Sequence, residues 1–145
     1  MQNEQKHCSY SKLKDTGERD FVAPVVDHKV AQLFGVPTDY VAQVSEAATR
    51  LGHVADLLHL TVIQEYAYEW RPQGITVVLL ISESHISIHT WPEFSYAYVD
   101  IITCGKQLEV ADVLEALHVA FHPKQVQVYD MVARASIISG DGNSE

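Results

Sequence analysis

Cysteine is scarce in this 145-residue chain, which has only Cys8 and Cys104. Two such residues fit a reducing cytoplasm better than a disulfide framework. No apolar run reaches the roughly 18 residues that a membrane-spanning helix needs, and the opening lacks the basic-then-apolar order of a secretory signal. Internal repeats and low-complexity tracts are also missing. Basic residues are in deficit, with 10 Lys and Arg against 19 Asp and Glu and a formal net charge of -9. That balance argues against a nucleic-acid partner and suits a cationic small molecule. The expectation is a cytoplasmic protein with neither membrane nor nucleic acid as a partner. A hydrophobic content of 47% is enough for one domain with a real core.

The first 24 residues are polar and mixed in charge, and read as a mobile extension. His7 and Cys8 are adjacent in it and cannot close a metal site alone. Residues 25–138 read as the folded domain, and residues 139–145 as a frayed tail. Val25 to Phe34 is strand-like and ends at Gly35 and Pro37. Thr38 is a plausible N-cap. Val41, Val44, Ala48, Leu51, Ala55 and Leu58 then recur at three- and four-residue steps, predicting one amphipathic helix of about five turns. Gly52 sits inside it and weakens it by about 1 kcal/mol against alanine, enough to allow a break there.

Leu60 to Tyr66 reads as a strand and Glu69 to Gly74 as a loop. Ile75 to Ile81 is an almost unbroken apolar strand of the kind covered on both faces. Val110, Val113, Leu114, Leu117 and Phe121 mark a second amphipathic helix, stopped by Pro123. Its His118 and His122 could share a metal but also complement the helix dipole, the simpler reading. Val126 to Val132 is a last strand. The sum is α+β: a two-layer α/β sandwich with a mainly antiparallel sheet and two amphipathic helices on one face. The other sheet face then needs cover, and a second copy of the chain would supply it.

Reactive side chains concentrate between Ile81 and Gly105. Ser84 to His89 alternates at the period of a pleat, so His85 and His89 point the same way, too far apart along a strand to chelate one ion together. Trp91-Pro92-Glu93 ends the strand, and Tyr96 to Thr103 alternates again. A hairpin would return Cys104 towards Ser84. Two ordinary strands with polar outer faces would read the same way; the sharper possibility is one reactive cluster of Ser84, His89 and Cys104.

Glu83-Ser84-His85, Ile88-His89-Thr90-Trp91-Pro92-Glu93, and Asp100 with Thr103-Cys104-Gly105 together resemble the signature of the small prokaryotic S-adenosylmethionine decarboxylases. These are pyruvoyl enzymes made as proenzymes. The resemblance implies self-cleavage between Glu83 and Ser84, by attack of the serine hydroxyl on the preceding carbonyl and then elimination. Ser84 would become the covalent pyruvoyl cofactor and form a Schiff base with substrate. It also implies that His89 serves processing, that Thr76 assists with its hydroxyl, and that Cys104 donates the proton after decarboxylation. Trp70 and Glu93 match the positions that hold the adenine and ribose, although either could be an ordinary surface residue. No metal is implied. A homodimer of cleaved protomers is.

Three departures touch the substrate side. Val26-Asp27-His28 leads to Gln32 where the family has an acidic residue, Tyr68 replaces a histidine, and Trp70 replaces a phenylalanine. They leave two alternatives to S-adenosylmethionine decarboxylation in spermidine synthesis: the same machinery turned to arginine or ornithine, or an inactive regulatory homologue.

Overall fold

The computed structural model describes residues 10–14, 20–82 and 84–131. Six strands form one antiparallel sheet: β3 (Val26–Phe34), β4 (Val62–Glu69), β5 (Ile75–Ile81), β6 (Ser84–Trp91), β7 (Tyr96–Cys104) and β8 (Gln125–Met131). Their order across the sheet is β4-β5-β6-β7-β3-β8. Three helices accompany them, α1 (Thr38–Val41), α2 (Val44–Leu57) and α3 (Val110–Phe121). Before the sheet, β1 (Tyr10–Lys14) pairs with β2 (Asp20–Pro24). Regular structure thus reaches into a stretch whose polar sequence predicts none. The adjacent β-formers Phe21 and Val22 are the local signal for it. His7, Cys8, Val132 and the 139–145 tail lie outside the described residues.

Alternation decides which side of the sheet is covered. Ala31, Leu33, Val77, Leu79, Ile86, Ile88, Val99 and Ile101 are all buried. They face Leu51, Val54 and Ala55 of α2 and Val113, Leu117 and Phe121 of α3 in one core. This is the expected two-layer sandwich. The alternate residues occupy an open face. Leu80 there is 42% exposed and Tyr66 62% exposed, so β5 is covered on one side only within a single chain, contrary to its two-sided apolar sequence.

The predicted five-turn helix is two helices. The break falls at Ala42 and Gln43, not at Gly52, which sits inside α2. Thr90 explains it. Its Oγ1 donates to the carbonyl of Val41 at 2.8 Å, taking the acceptor that the next helical turn would use. Gln43 is extended, at φ -125° and ψ 137°. Nor is Thr38 a cap: Pro37 holds that position and makes no side-chain capping bond.

Candidate active site

The hairpin of β5 and β6 sets the site by register. Thr76 is opposite His89, and Ile81 is opposite Ser84. Across the next pair, His89 is opposite Tyr98 and Ser84 opposite Thr103. Tyr68 is opposite Thr76 in turn. One polar row therefore runs Tyr68, Thr76, His89, Tyr98 across four strands of the open face. At the other end of the same strands, Ser84 lies one register step from Cys104.

At the first end, Thr76 Oγ1 and His89 Nδ1 share a hydrogen bond of 3.0 Å. Trp70 donates its indole Nε1–H to the same hydroxyl oxygen, also at 3.0 Å. A cavity of about 360 Å³ opens beside them, with Trp70, Gly74, Thr76, His89, Trp91 and Glu93 among its lining residues. The 70–74 loop that carries Trp70 is closed by its backbone, since Trp70 N–H donates to the Gly74 carbonyl at 2.7 Å. Gly74 has φ +100°, and a Cβ there would meet the Thr90 carbonyl oxygen at 2.9 Å. Buried Thr90 supports the floor by accepting from Ile75 N–H at 3.1 Å.

At the second end, Ser84 opens β6 with φ +156°, and Glu83 lies outside the described residues. Cys104 is 5% exposed and opposite Val26. The loop after it is tied down. Thr103 Oγ1 donates to the Lys106 carbonyl at 2.6 Å. Lys106 Nζ in turn donates to the Leu58 and His59 carbonyls at 2.8 and 3.2 Å, a cation placed at the negative end of α2. Cys104 is disulfide-bonded. This corrects the sequence expectation of a reduced Cys104: a sulfur in such a bond carries no thiol proton.

Thr76, His89, Trp70 and Glu93 are thus brought together, whereas Ser84 and Cys104 share one end of the β6–β7 pair but, by pleat parity, point to opposite faces of the sheet. The two groups are not brought together. Ser84 and His89 are five residues apart on one strand, about 17 Å by strand geometry, so a single Ser84, His89 and Cys104 cluster does not exist within one chain.

Between the two ends lies a network that sequence reasoning passed over. Ser87 Oγ donates to Asp100 Oδ1, and Asp100 Oδ2 stands 3.4 Å from His28 Nε2 and 3.7 Å from His85 Nε2. The approach of His28 misses hydrogen-bond geometry, so its buried Nε2 has no hydrogen-bond partner among the described residues. Further along, Gln32 accepts from Tyr96 O–H at 2.8 Å and donates to Tyr129 at 3.2 Å. An amide can serve both bonds as drawn, accepting through its oxygen and donating through its nitrogen. Burial pushes the Tyr96 phenol above its ordinary range, with the neighbouring Tyr98 and Tyr129 adding to it.

Comparison with known proteins places the chain in a family. Residues 27–134 match the family model described as S-adenosylmethionine decarboxylase. The chain is 36% identical over 99 residues to the S-adenosylmethionine decarboxylase proenzyme of Aquifex aeolicus, covering 68% of this chain and 73% of that one. It is 33% identical over 102 residues to the proenzyme of the same name from Archaeoglobus fulgidus, covering 70% and 91%. The crystal structure of the adenosylmethionine decarboxylase from Aquifex aeolicus superposes with a TM-score of 0.64 at 33% identity, covering 79% of this chain and 98% of that one. With both the sheet and the sequence matched over most of its length, the chain belongs to the S-adenosylmethionine decarboxylase family.

Proposed function

We propose that this chain is a self-processing, pyruvoyl-dependent decarboxylase of S-adenosylmethionine, and that its site is completed by a second copy. The observation that carries the reading is the division of the site. Ser84 and Cys104 sit at one end of the β6–β7 pair, and Thr76, His89, Trp70 and Glu93 at the other. Along the strand the two ends are about 17 Å apart, whereas sheets packed face to face stand about 10 Å apart and their side chains meet. A two-fold axis that reverses strand direction lays the Ser84 end of one open face over the His89 end of the other. The aromatic and aliphatic exposure of that face, including Tyr68 at 61% and Met131 at 51%, gives such a contact its apolar area.

Each residue then has one task. Ser84 supplies the hydroxyl that attacks the Glu83 carbonyl. Thr76 and His89, already hydrogen-bonded, stand ready to hold and move protons during that step and the elimination that follows. Cleavage leaves Ser84 as the start of a new chain, still anchored because Ile86 onward remains paired on both sides. The pyruvoyl group formed there would supply the carbonyl that accepts electrons as carbon dioxide leaves. Cys104, one step away, protonates the product once it is a free thiol. Trp70 offers a flat ring to adenine and a face to the sulfonium charge, and Glu93 accepts from ribose hydroxyls.

The names carried by the relatives favour S-adenosylmethionine over arginine or ornithine. Intact mass tests the first half of the proposal: two fragments divided at Glu83-Ser84, with Ser84→Ala whole. Release of carbon dioxide from carboxyl-labelled S-adenosylmethionine, arginine and ornithine tests the second. A wild-type chain that stays intact on long incubation would sink the proposal. Release from arginine or ornithine alone would remove Trp70 and Glu93 from their roles.

A further inference from the structure

Trp70 is a group beside the Thr76–His89 pair whose hydrogen-bonding direction is fixed by its chemistry. An indole N–H can only donate, and Trp70 Nε1 lies 3.0 Å from Thr76 Oγ1. The same oxygen lies 3.0 Å from His89 Nδ1, and it has no further hydrogen bond among the described residues. A hydroxyl has one proton and two lone pairs. Trp70 occupies one lone pair, which limits the rotation of the Thr76 hydroxyl and so the way it can meet the imidazole.

The indole is not there by default. Trp70 is 55% exposed, and its N–H could be satisfied by water. It is instead fixed from three directions: by its own backbone bond to Gly74, by the Tyr68 ring at 4.8 Å and 59°, and by Thr76. Tyr68 stands opposite Thr76 in the sheet. The ring that packs on Trp70 and the hydroxyl that Trp70 holds therefore belong to the same row as His89.

We infer that Trp70 is a positioning residue for self-cleavage, acting through Thr76 on His89, in addition to the platform it offers a nucleoside. This rests on the self-cleavage reading above. A flat ring alone does not need the N–H, so the two roles separate in Trp70→Phe, which keeps the ring and removes the donor.

The experiment is a double-mutant cycle on the rate of cleavage, followed by intact mass. Trp70→Phe should slow cleavage on the order of tenfold, the size of effect one lost hydrogen bond can produce, and by less than about twofold when Thr76 is already alanine. Cleavage at the wild-type rate, or the same factor in both backgrounds, overturns the inference. If Thr76→Ala cleaves too slowly to time, the uncleavable Ser84→Ala chain gives a second readout by nitrogen-15 NMR. There Trp70→Phe should shift the His89 ring nitrogens, and Thr76→Val should remove exchange protection from the Trp70 indole proton. Unmoved signals overturn the inference. A wild-type chain that never cleaves overturns the self-cleavage reading itself, and these signals then still decide whether Trp70 holds the pair.

Discussion

Ser84 and His89 share strand β6, yet they pair with different ends of the neighbouring strand, Ser84 with Thr103 and His89 with Tyr98. The separation, about 17 Å for five extended residues, exceeds any proton transfer that one side chain can perform. If two copies share the site, the defects of Ser84→Ala and His89→Ala should complement. In a mixed dimer one site has both defects and the other has neither. Mass spectrometry of chains coexpressed in equal amounts should find up to about half of the His89→Ala copies cleaved, the fraction expected from random pairing into two-fold dimers. Either variant alone should stay whole. No cleavage in the mixture would return the site to a single chain.

The disulfide at Cys104 separates the two chemistries. Under the proposed roles processing uses Ser84, Thr76 and His89 and needs no thiol, so cleavage should proceed equally with and without a reducing agent. If Cys104 is the proton donor, decarboxylation should require reduction. Cys104→Ala should still cleave, and should divert turnover into transamination of the cofactor whether or not reductant is present. Full carbon dioxide release from the oxidised protein, or unaltered turnover by Cys104→Ala, would remove the thiol from the mechanism.

Most of this architecture was legible because alternation is a strong signal. The pleat parity of Ser84 to His89 and the apolar run Ile75 to Ile81 place β5 and β6 nearly to the residue. The pairing of Thr76 with His89 was also within reach. Two positions separate the strands, so counting outward from Ile81 and Ser84 gives it. What local pattern could not show was the break at Ala42, caused by Thr90 some fifty positions later in the chain, or the row in which Gln32 joins Tyr96 to Tyr129. Those depend on which strands lie side by side. The division of the site was hidden for the same reason: closeness in sequence made Ser84, His89 and Cys104 look like one cluster, and the extended backbone keeps Ser84 and His89 apart.

Gly74 is where the pocket's backbone is least tolerant. With φ +100° and the Thr90 carbonyl oxygen 2.9 Å from where a Cβ would stand, Gly74→Ala has neither the conformation nor the space it needs. A cost of about 1–3 kcal/mol is expected from such a backbone setting. It should lower the thermal midpoint. Because Trp70 N–H donates to the Gly74 carbonyl, it should also raise KM for S-adenosylmethionine by displacing Trp70. An alanine variant with the wild-type midpoint and KM would mean that the loop relaxes freely.

Lys29 tests the electrostatics away from the site. Its side chain is 2% exposed, with Nζ 2.6 Å from Asp27 Oδ1 and 3.0 Å from Asp130 Oδ1. Burial works to lower its pKa, but hydrogen bonds and charge attraction from the two carboxylates outweigh it and hold the ammonium above its usual value of 10.5. A base whose folded pKa is raised contributes stability that is fully present below the unfolded value and is lost as pH rises through the folded one. Wild-type stability should therefore be flat in this respect near neutrality and fall as pH climbs beyond 10.5. Lys29→Met should lose that alkaline dependence. It should also be less stable at neutral pH, by up to about 3–5 kcal/mol, the cost of removing one partner from a buried pair, because Asp27 loses the ammonium it meets at 2.6 Å. Asp27 has a second duty, since its Oδ2 accepts from Leu108 N–H at 3.2 Å, just beyond the loop that follows Cys104. Urea unfolding at neutral and alkaline pH separates the outcomes: parallel pH profiles for the two proteins would show that the ammonium contributes nothing to the fold.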